Sequence, residues 1–325
     1  MDNIKSEKIK NAPFFRTKTK TANIMIDVLI ALIPVSIMAI VNFGFTSLLF
    51  IALGMGSAVL FEYGFQKLTN QKSTINDLSA AVTGLLVALS YPVTAPLWII
   101  IFGSFLAIVV AKQLPGGLGK NPLNPAVFSR VFIKITLTPF MTNWVSPLPD
   151  MTSTATPLSI IGFGQSSISG LAPNIQDLFL GNIGGGIGET VKWAILLGFV
   201  YLVYKRVISG FMPIATLSGL FMTMLLFGKS DYYFAFYHLL SGTVLFASVF
   251  MVTDYTSGPL NPRARIYYAF SIGVLTGILR YTFPLPGGVG IAILAMNLLA
   301  PIFDTFTTPK VFGHKSSSNI LPSRK

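Results

Sequence analysis

About ten apolar stretches, at roughly residues 24–43, 45–66, 78–92, 96–111, 124–141, 190–207, 211–228, 232–252, 266–283 and 287–306, take up most of this chain. Hydrocarbon offers the backbone no hydrogen-bond partners, so such segments are expected to satisfy their own backbone groups as helices. The expected fold is therefore all-α, a polytopic membrane protein with about ten spans. Only 10% of its 325 residues are charged, against about 25% in a soluble domain. Several stretches fall short of the ~20 residues that a straight crossing needs. The third ends at Tyr91-Pro92 and the fifth contains Arg130 and Lys134. Segments of that kind are expected where neighbours bury a helix or where it breaks near a site.

The placement of positive charge orients these spans. With the N-terminus in the cytoplasm, eighteen of the 23 Lys and Arg residues fall in inside segments, among them Lys67, Lys72, Lys112, Lys120, Lys205, Arg206, Arg263 and Arg265. Outside segments hold three, Lys192, Lys229 and Arg280. This bias places both termini in the cytoplasm. The expected order is a tail (1–23), a first membrane half (24–141), an outward loop (142–189), a second half (190–306) and a second tail (307–325). Two five-span halves on either side of an outward loop would have opposed orientation, the inverted-repeat plan of transporters. An echo of Asn121-Pro122-Leu123-Asn124-Pro125 in Gly258-Pro259-Leu260-Asn261-Pro262 does not fall at equivalent places in such a repeat.

The net charge of +12 is dispersed over loops and tails, so it reads as topology and not as a nucleic-acid surface. The first 20 residues carry six Lys/Arg and no apolar core, so no secretory signal is expected. The chain has no cysteine, hence no disulfide, no thiolate metal site and no iron–sulfur cluster held by its own thiolates. His238 and His314 are too few for a metal or haem site, and no catalytic set is expected.

Three features could carry chemistry. The Asn-Pro turns at Asn121, Asn124 and Asn261 are either helix punctuation or a polar pocket for a cofactor or adjoining subunit. Charges sit within or against spans at Asp27, Glu62, Arg130, Lys134, Asp254, Arg280 and Asp304. A charge costs at least ~2.5 kcal/mol at a helix centre, so such groups are functional candidates by default. Asp27, Asp254 and Asp304 lie near span ends, where snorkelling or interfacial pairing is the commoner explanation. Arg130 and Lys134 are four apart on one face, suited to an anion or to lipid head groups. The outward loop holds Asp150-Met151-Thr152-Ser153-Thr154-Ala155-Thr156, one carboxylate and four hydroxyls that no membrane span requires. It is either a solvated turn or a site of covalent modification. A flavin mononucleotide can be tied through its phosphate to an exposed threonine among small residues, and Asp150, Ser153 and Ala155 surround Thr156 in that way. The glycine run 181–188 that follows is either a close approach to a ligand or a flexible lead-in to the sixth span.

Taken together, residues 116–126, the Asp150–Thr156 motif, residues 251–262 and the segment from Pro286 to Pro301 resemble the D subunit of the Rnf complex, the ion-translocating ferredoxin:NAD oxidoreductase. More distantly they resemble the B subunit of the Na+-translocating NADH:quinone reductase. The resemblance implies FMN on Thr156 as a phosphoester placed by a flavin transferase, and a second, non-covalent flavin (riboflavin or FMN) among the helices. It further implies a bacterial inner-membrane complex with iron–sulfur and flavin subunits, in which electron flow between ferredoxin and NAD drives Na+ or H+ movement. The family usually has Gly where this chain has Thr154. The rival expectation is a secondary transporter or channel without a redox cofactor, which would be colourless.

Overall fold

The computed structural model describes residues 20–168, 170–283 and 288–307. The expected tails, 1–23 and 307–325, and Pro286-Gly287 thus fall almost wholly outside the described residues. The architecture is helical, and the described residues show only an isolated bridge between Val145 and Ser153 as extended pairing. In chain order the helices are α1 (Thr21–Phe43), α2 (Phe45–Leu68), α3 (Ser79–Leu89), α4 (Leu97–Phe105), α5 (Pro125–Thr136), α6 (Thr138–Met141), α7 (Pro157–Ile161), α8 (Ile175–Leu180), α9 (Lys192–Tyr204), α10 (Phe211–Phe227), α11 (Tyr232–Leu240), α12 (Val244–Phe250), α13 (Pro262–Thr282) and α14 (Val289–Phe306). α4 runs directly into a π-helical stretch, Leu106–Gln113.

Among the described residues α1, α2 and α14 are each long and apolar enough to cross a membrane. The pair α11–α12, bent by 59°, makes a fourth crossing if counted as one span. The remaining apolar stretches are helical and in the expected order; most are shorter, and α13, at 21 residues, is long enough but less apolar, so the helices alone do not set ten crossings. α3 shows why. Its 11 residues rise about 16 Å, half of a ~30 Å hydrocarbon core, and every one of them is buried. Its ends therefore meet protein and not lipid. A row of β-branched side chains on α1 (Ile26, Ile30, Ile33, Ile37, Val41) is exposed instead, an apolar face suited to hydrocarbon.

Small residues let the helices touch backbone to backbone. A Cβ on Gly54 of α2 would lie 2.7 Å from the Gly84 carbonyl of α3, and one on Gly273 of α13 would meet the Thr216 carbonyl of α10. Both Asn-Pro pairs start helices. Asn124 accepts from the amides of Ala126 (3.1 Å) and Val127 (3.2 Å), with Pro125 opening α5. Asn261 accepts from the Arg263 amide (3.1 Å), with Pro262 opening α13. Asn124 also donates to the Met251 carbonyl (3.1 Å) and the Asp254 carboxylate (3.4 Å). Asn124→Ala is expected to cost about 2 kcal/mol in detergent unfolding, more than the roughly 1 kcal/mol of Asn261→Ala, because it also strands buried partners. Equal melting shifts in the two variants would contradict this.

The break between α11 and α12, at Ser241–Thr243, exposes carbonyls that have no helical partner. Cations cover them. Arg280 donates to the carbonyls of His238 (2.6 Å) and Ser241 (3.1 Å), and Lys192 donates to that of Gly242 (3.0 Å).

Candidate functional site

The long connection 142–189 is folded. Trp144–Thr154 forms a narrow hairpin in which the Thr154 amide donates to the Trp144 carbonyl and the Ser146 amide to the Thr152 carbonyl, both at 2.9 Å. The Leu148 amide, donating to the Asn42 carbonyl (2.7 Å), pins this hairpin to the turn between α1 and α2. Asp150 is exposed near its tip, and Ser153 and Ala155 are exposed. Thr156 is half-buried and caps α7, its hydroxyl 2.7 Å from that of Ser159 and accepting from the Ser159 amide (3.3 Å).

The glycine run turns back into the bundle. Ile187 donates to the Tyr91 carbonyl (3.0 Å) and Gly188 to that of Leu89 (2.7 Å), which caps the end of α3. A Cβ on Gly188 would stand 2.7 Å from the Leu89 Cβ, so the run is a close-packing device and not a flexible lead-in. Gly184 bears on the motif directly, since a Cβ there would lie 2.5 Å from the Thr154 γ-methyl. Thr154 thus fills space over a glycine. Gly184→Ala is expected to destabilise the hairpin by about 1–3 kcal/mol. Thr154→Gly should restore the melting temperature in the double variant. Additive losses would show that the two positions do not press on each other.

Thr156 lines a cavity with the glycines 184–186. Its floor is cationic. Arg130 pairs with the Glu189 carboxylate and donates to the Thr243 hydroxyl (2.8 Å), which itself donates to Glu189 (2.7 Å). Lys134, one turn along α5, and Lys192 line the same wall. Thr190 is buried beside them with its hydroxyl unpartnered. The cations and the spare hydroxyl give this wall the chemistry to receive an anion beside the Thr156 oxygen.

The other end of α5 holds a second cavity, with Ser79, Lys112, Asn121, Asn124 and Asp254 in its wall. On α5 the nearest residues of the two walls are Ala126 and Arg130, so about one helical turn, roughly 6 Å of rise, separates them. Here the two Asn-Pro segments divide. Asn121 donates to the Thr256 hydroxyl (3.0 Å) and keeps its buried carbonyl oxygen free. Asn261 lies away from the cavity and donates to the Thr307 carbonyl, while its backbone amide and that of Leu260 bind Asp304 at 2.9 Å. Asp254 accepts from the Thr256 amide (3.1 Å) and the Ser257 hydroxyl (2.9 Å); burial pushes its carboxyl up, against those hydrogen bonds. The free amide oxygen and the carboxyl suit the polar edge of a heteroaromatic ring.

The remaining span charges are satisfied structurally. Asp27 accepts from the Tyr201 hydroxyl (2.8 Å), and Glu62 pairs with Lys112 at 2.6 Å in the interior. Charge counting places Lys112 in an inside connection and Lys192 outside, yet both are 1% exposed. Each abuts an apolar run, and that was the available signal.

These features define a class, a helical membrane protein with broken inner helices and two cavities that carry polar groups in their walls, both lined by one helix. The profile of the NQR2, RnfD, RnfE family matches residues 8–313, and the chain belongs to that family. It is 38% identical over 308 residues to the D subunit of the Na(+)-translocating ferredoxin:NAD(+) oxidoreductase complex of Acetobacterium woodii, covering 94% of this chain and 95% of the relative. It is 34% identical over 317 residues to the D subunit of the proton-translocating ferredoxin:NAD(+) oxidoreductase complex of Clostridium ljungdahlii, covering 94% and 96%. To the D subunit of an ion-translocating oxidoreductase complex of Vibrio cholerae it is 32% identical over 349 residues, covering 94% and 99%.

Proposed function

We propose that this chain is the membrane-embedded D subunit of an ion-translocating ferredoxin:NAD oxidoreductase of the bacterial inner membrane, carrying FMN as a phosphoester on Thr156. The carrying observation is that the Thr156 hydroxyl, at the end of an exposed small-residue motif, opens onto a cavity walled by Arg130, Lys134 and Lys192. An exposed motif gives a flavin transferase access, and the cavity gives the attached group a place to rest. A second flavin, riboflavin or FMN, is assigned to the cavity at Asn121 and Asn124, where the free Asn121 oxygen supplies an acceptor. The flavins would supply electron transfer. The chain's residues hold them at opposite ends of α5 and exclude water. The iron–sulfur and further flavin subunits of the complex would supply the centres that a chain without cysteine cannot hold.

In this reading the chain crosses the membrane ten times in two five-helix halves of opposed orientation. Both tails then lie in the cytoplasm and Thr156 faces outward. Electron arrival in a low-dielectric site changes local charge, and compensating cation movement, Na+ or H+, is the coupling. Intact-mass measurement of the chain co-expressed with a flavin transferase tests the assignment. The expected result is the added mass of one flavin mononucleotide and a fluorescent band on a denaturing gel. An unmodified, colourless chain would overturn it in favour of a transporter or channel.

A further inference from the structure

We propose, resting on the flavin reading above, that Lys192 and its neighbour Lys134 tune the Thr156 cavity, stabilising negative charge on a redox group held there and raising its reduction potential. Around the break in α11–α12, Arg130, Lys134, Lys192 and Arg280 converge from three helices, and the cavity contains one carboxylate, Glu189. That carboxylate is engaged by Arg130 and by the Thr243 hydroxyl. Arg280 is committed to the carbonyls of His238 and Ser241. Lys192 donates to the carbonyls of Glu189 and Gly242, which accept hydrogen bonds but bring no charge.

The position of Lys192 is costly. It is the first residue of α9, at the positive end of the helix dipole, and is 1% exposed. Nothing in helix formation calls for a cation there. Beside it the Thr190 hydroxyl, also buried, has no partner. An excess of positive charge and a spare hydroxyl on one wall complement an anion entering the cavity from Thr156. When a donor adds one electron and no proton follows, the held group gains one negative charge. Lys192 stabilises that charge directly, because little water intervenes.

The test is an anaerobic dithionite titration of the flavin-loaded chain, followed by flavin absorbance. Lys192→Gln is expected to weaken one-electron uptake about tenfold, a midpoint lower by about 59 mV. Lys192→Arg should keep most of the wild-type value, and Lys205→Gln, on the far side of α9, should not move it. A loaded Lys192→Gln chain with a wild-type midpoint would overturn the proposal, as would an equal shift in Lys192→Arg. A merely structural lysine would lower the melting temperature and leave the midpoint in place. If Lys192→Gln does not accumulate, Lys134→Gln carries the same expected sign. A wild-type chain without the covalent flavin removes the tether and the tuning together.

Discussion

A Thr156→Ala chain emerges from cells that contain a flavin transferase with no flavin fluorescence on a denaturing gel, whereas the wild type and Thr156→Ser keep the band. The effect is all-or-none, because a phosphoester needs an oxygen at that side chain. The fold should tolerate the change. Thr156 caps α7, a five-residue helix at the cavity mouth, through the Ser159 amide, and losing such a cap costs about 1 kcal/mol. Stained protein should therefore be unchanged while fluorescence disappears. The neighbouring hydroxyls make the test sharp. Thr152 is tied to Ser146 within the hairpin at 3.0 Å, and the Thr154 methyl lies over Gly184. Ser153 is exposed, and the Ser159 hydroxyl is 2.7 Å from that of Thr156. Ser153→Ala should keep the band. A band that survives Thr156→Ala and vanishes with Ser159→Ala would move the bond by one turn and sink the assignment to Thr156.

Much of this arrangement is legible in the chain itself, for identifiable reasons. Apolar runs mark helices because hydrocarbon leaves the backbone no alternative, and the runs at 24–43 and 45–66 correspond to α1 and α2 with little error. The motif around Thr156 stands out because a run of four hydroxyls and a carboxylate within seven residues is not what a span requires. What hydropathy does not show is how much of an apolar run is straight helix. α3 and the α11–α12 pair read as spans, yet α3 is a buried half-length helix and the pair is bent by 59°. The Asn-Pro echo is visible, but its two copies do different work. Asn124 closes on the cavity and on Asp254, whereas Asn261 is held by the end of α14. The cationic floor is hardest to foresee. Lys192 and Glu189 look like loop charges at the edge of the sixth apolar run. Only the return of the glycine run onto α3 draws them inside.

The second large effect is expected at the interior pair of Glu62 and Lys112, which lies outside both motifs. Lys112 donates to Glu62 and to the Ser79 hydroxyl, each at 2.6 Å. Glu62 further accepts from the Thr74 hydroxyl (2.8 Å) and the Gln66 amide (3.3 Å), and both charged side chains are at most 2% exposed. Lys112→Met removes the only cation within hydrogen-bonding distance of Glu62 among the described residues. It leaves a buried carboxylate on two neutral donors, a loss of about 3–5 kcal/mol. Glu62→Gln strands the ammonium in the same way. Removing both charges with Glu62→Leu and Lys112→Met together should cost much less than the sum, because two opposed desolvation penalties disappear with the attraction. A double-mutant cycle in detergent unfolding measures the difference. The pair joins α2 to the π-helical end of α4 and, through Ser79, to the start of α3, so its loss should loosen the wall that holds Asn121. Weaker retention of the non-covalent flavin with the Thr156 band intact is the expected signature. Additive losses of under about 1 kcal/mol in each single variant would mean that water reaches this pair and that the interior charge is already solvated.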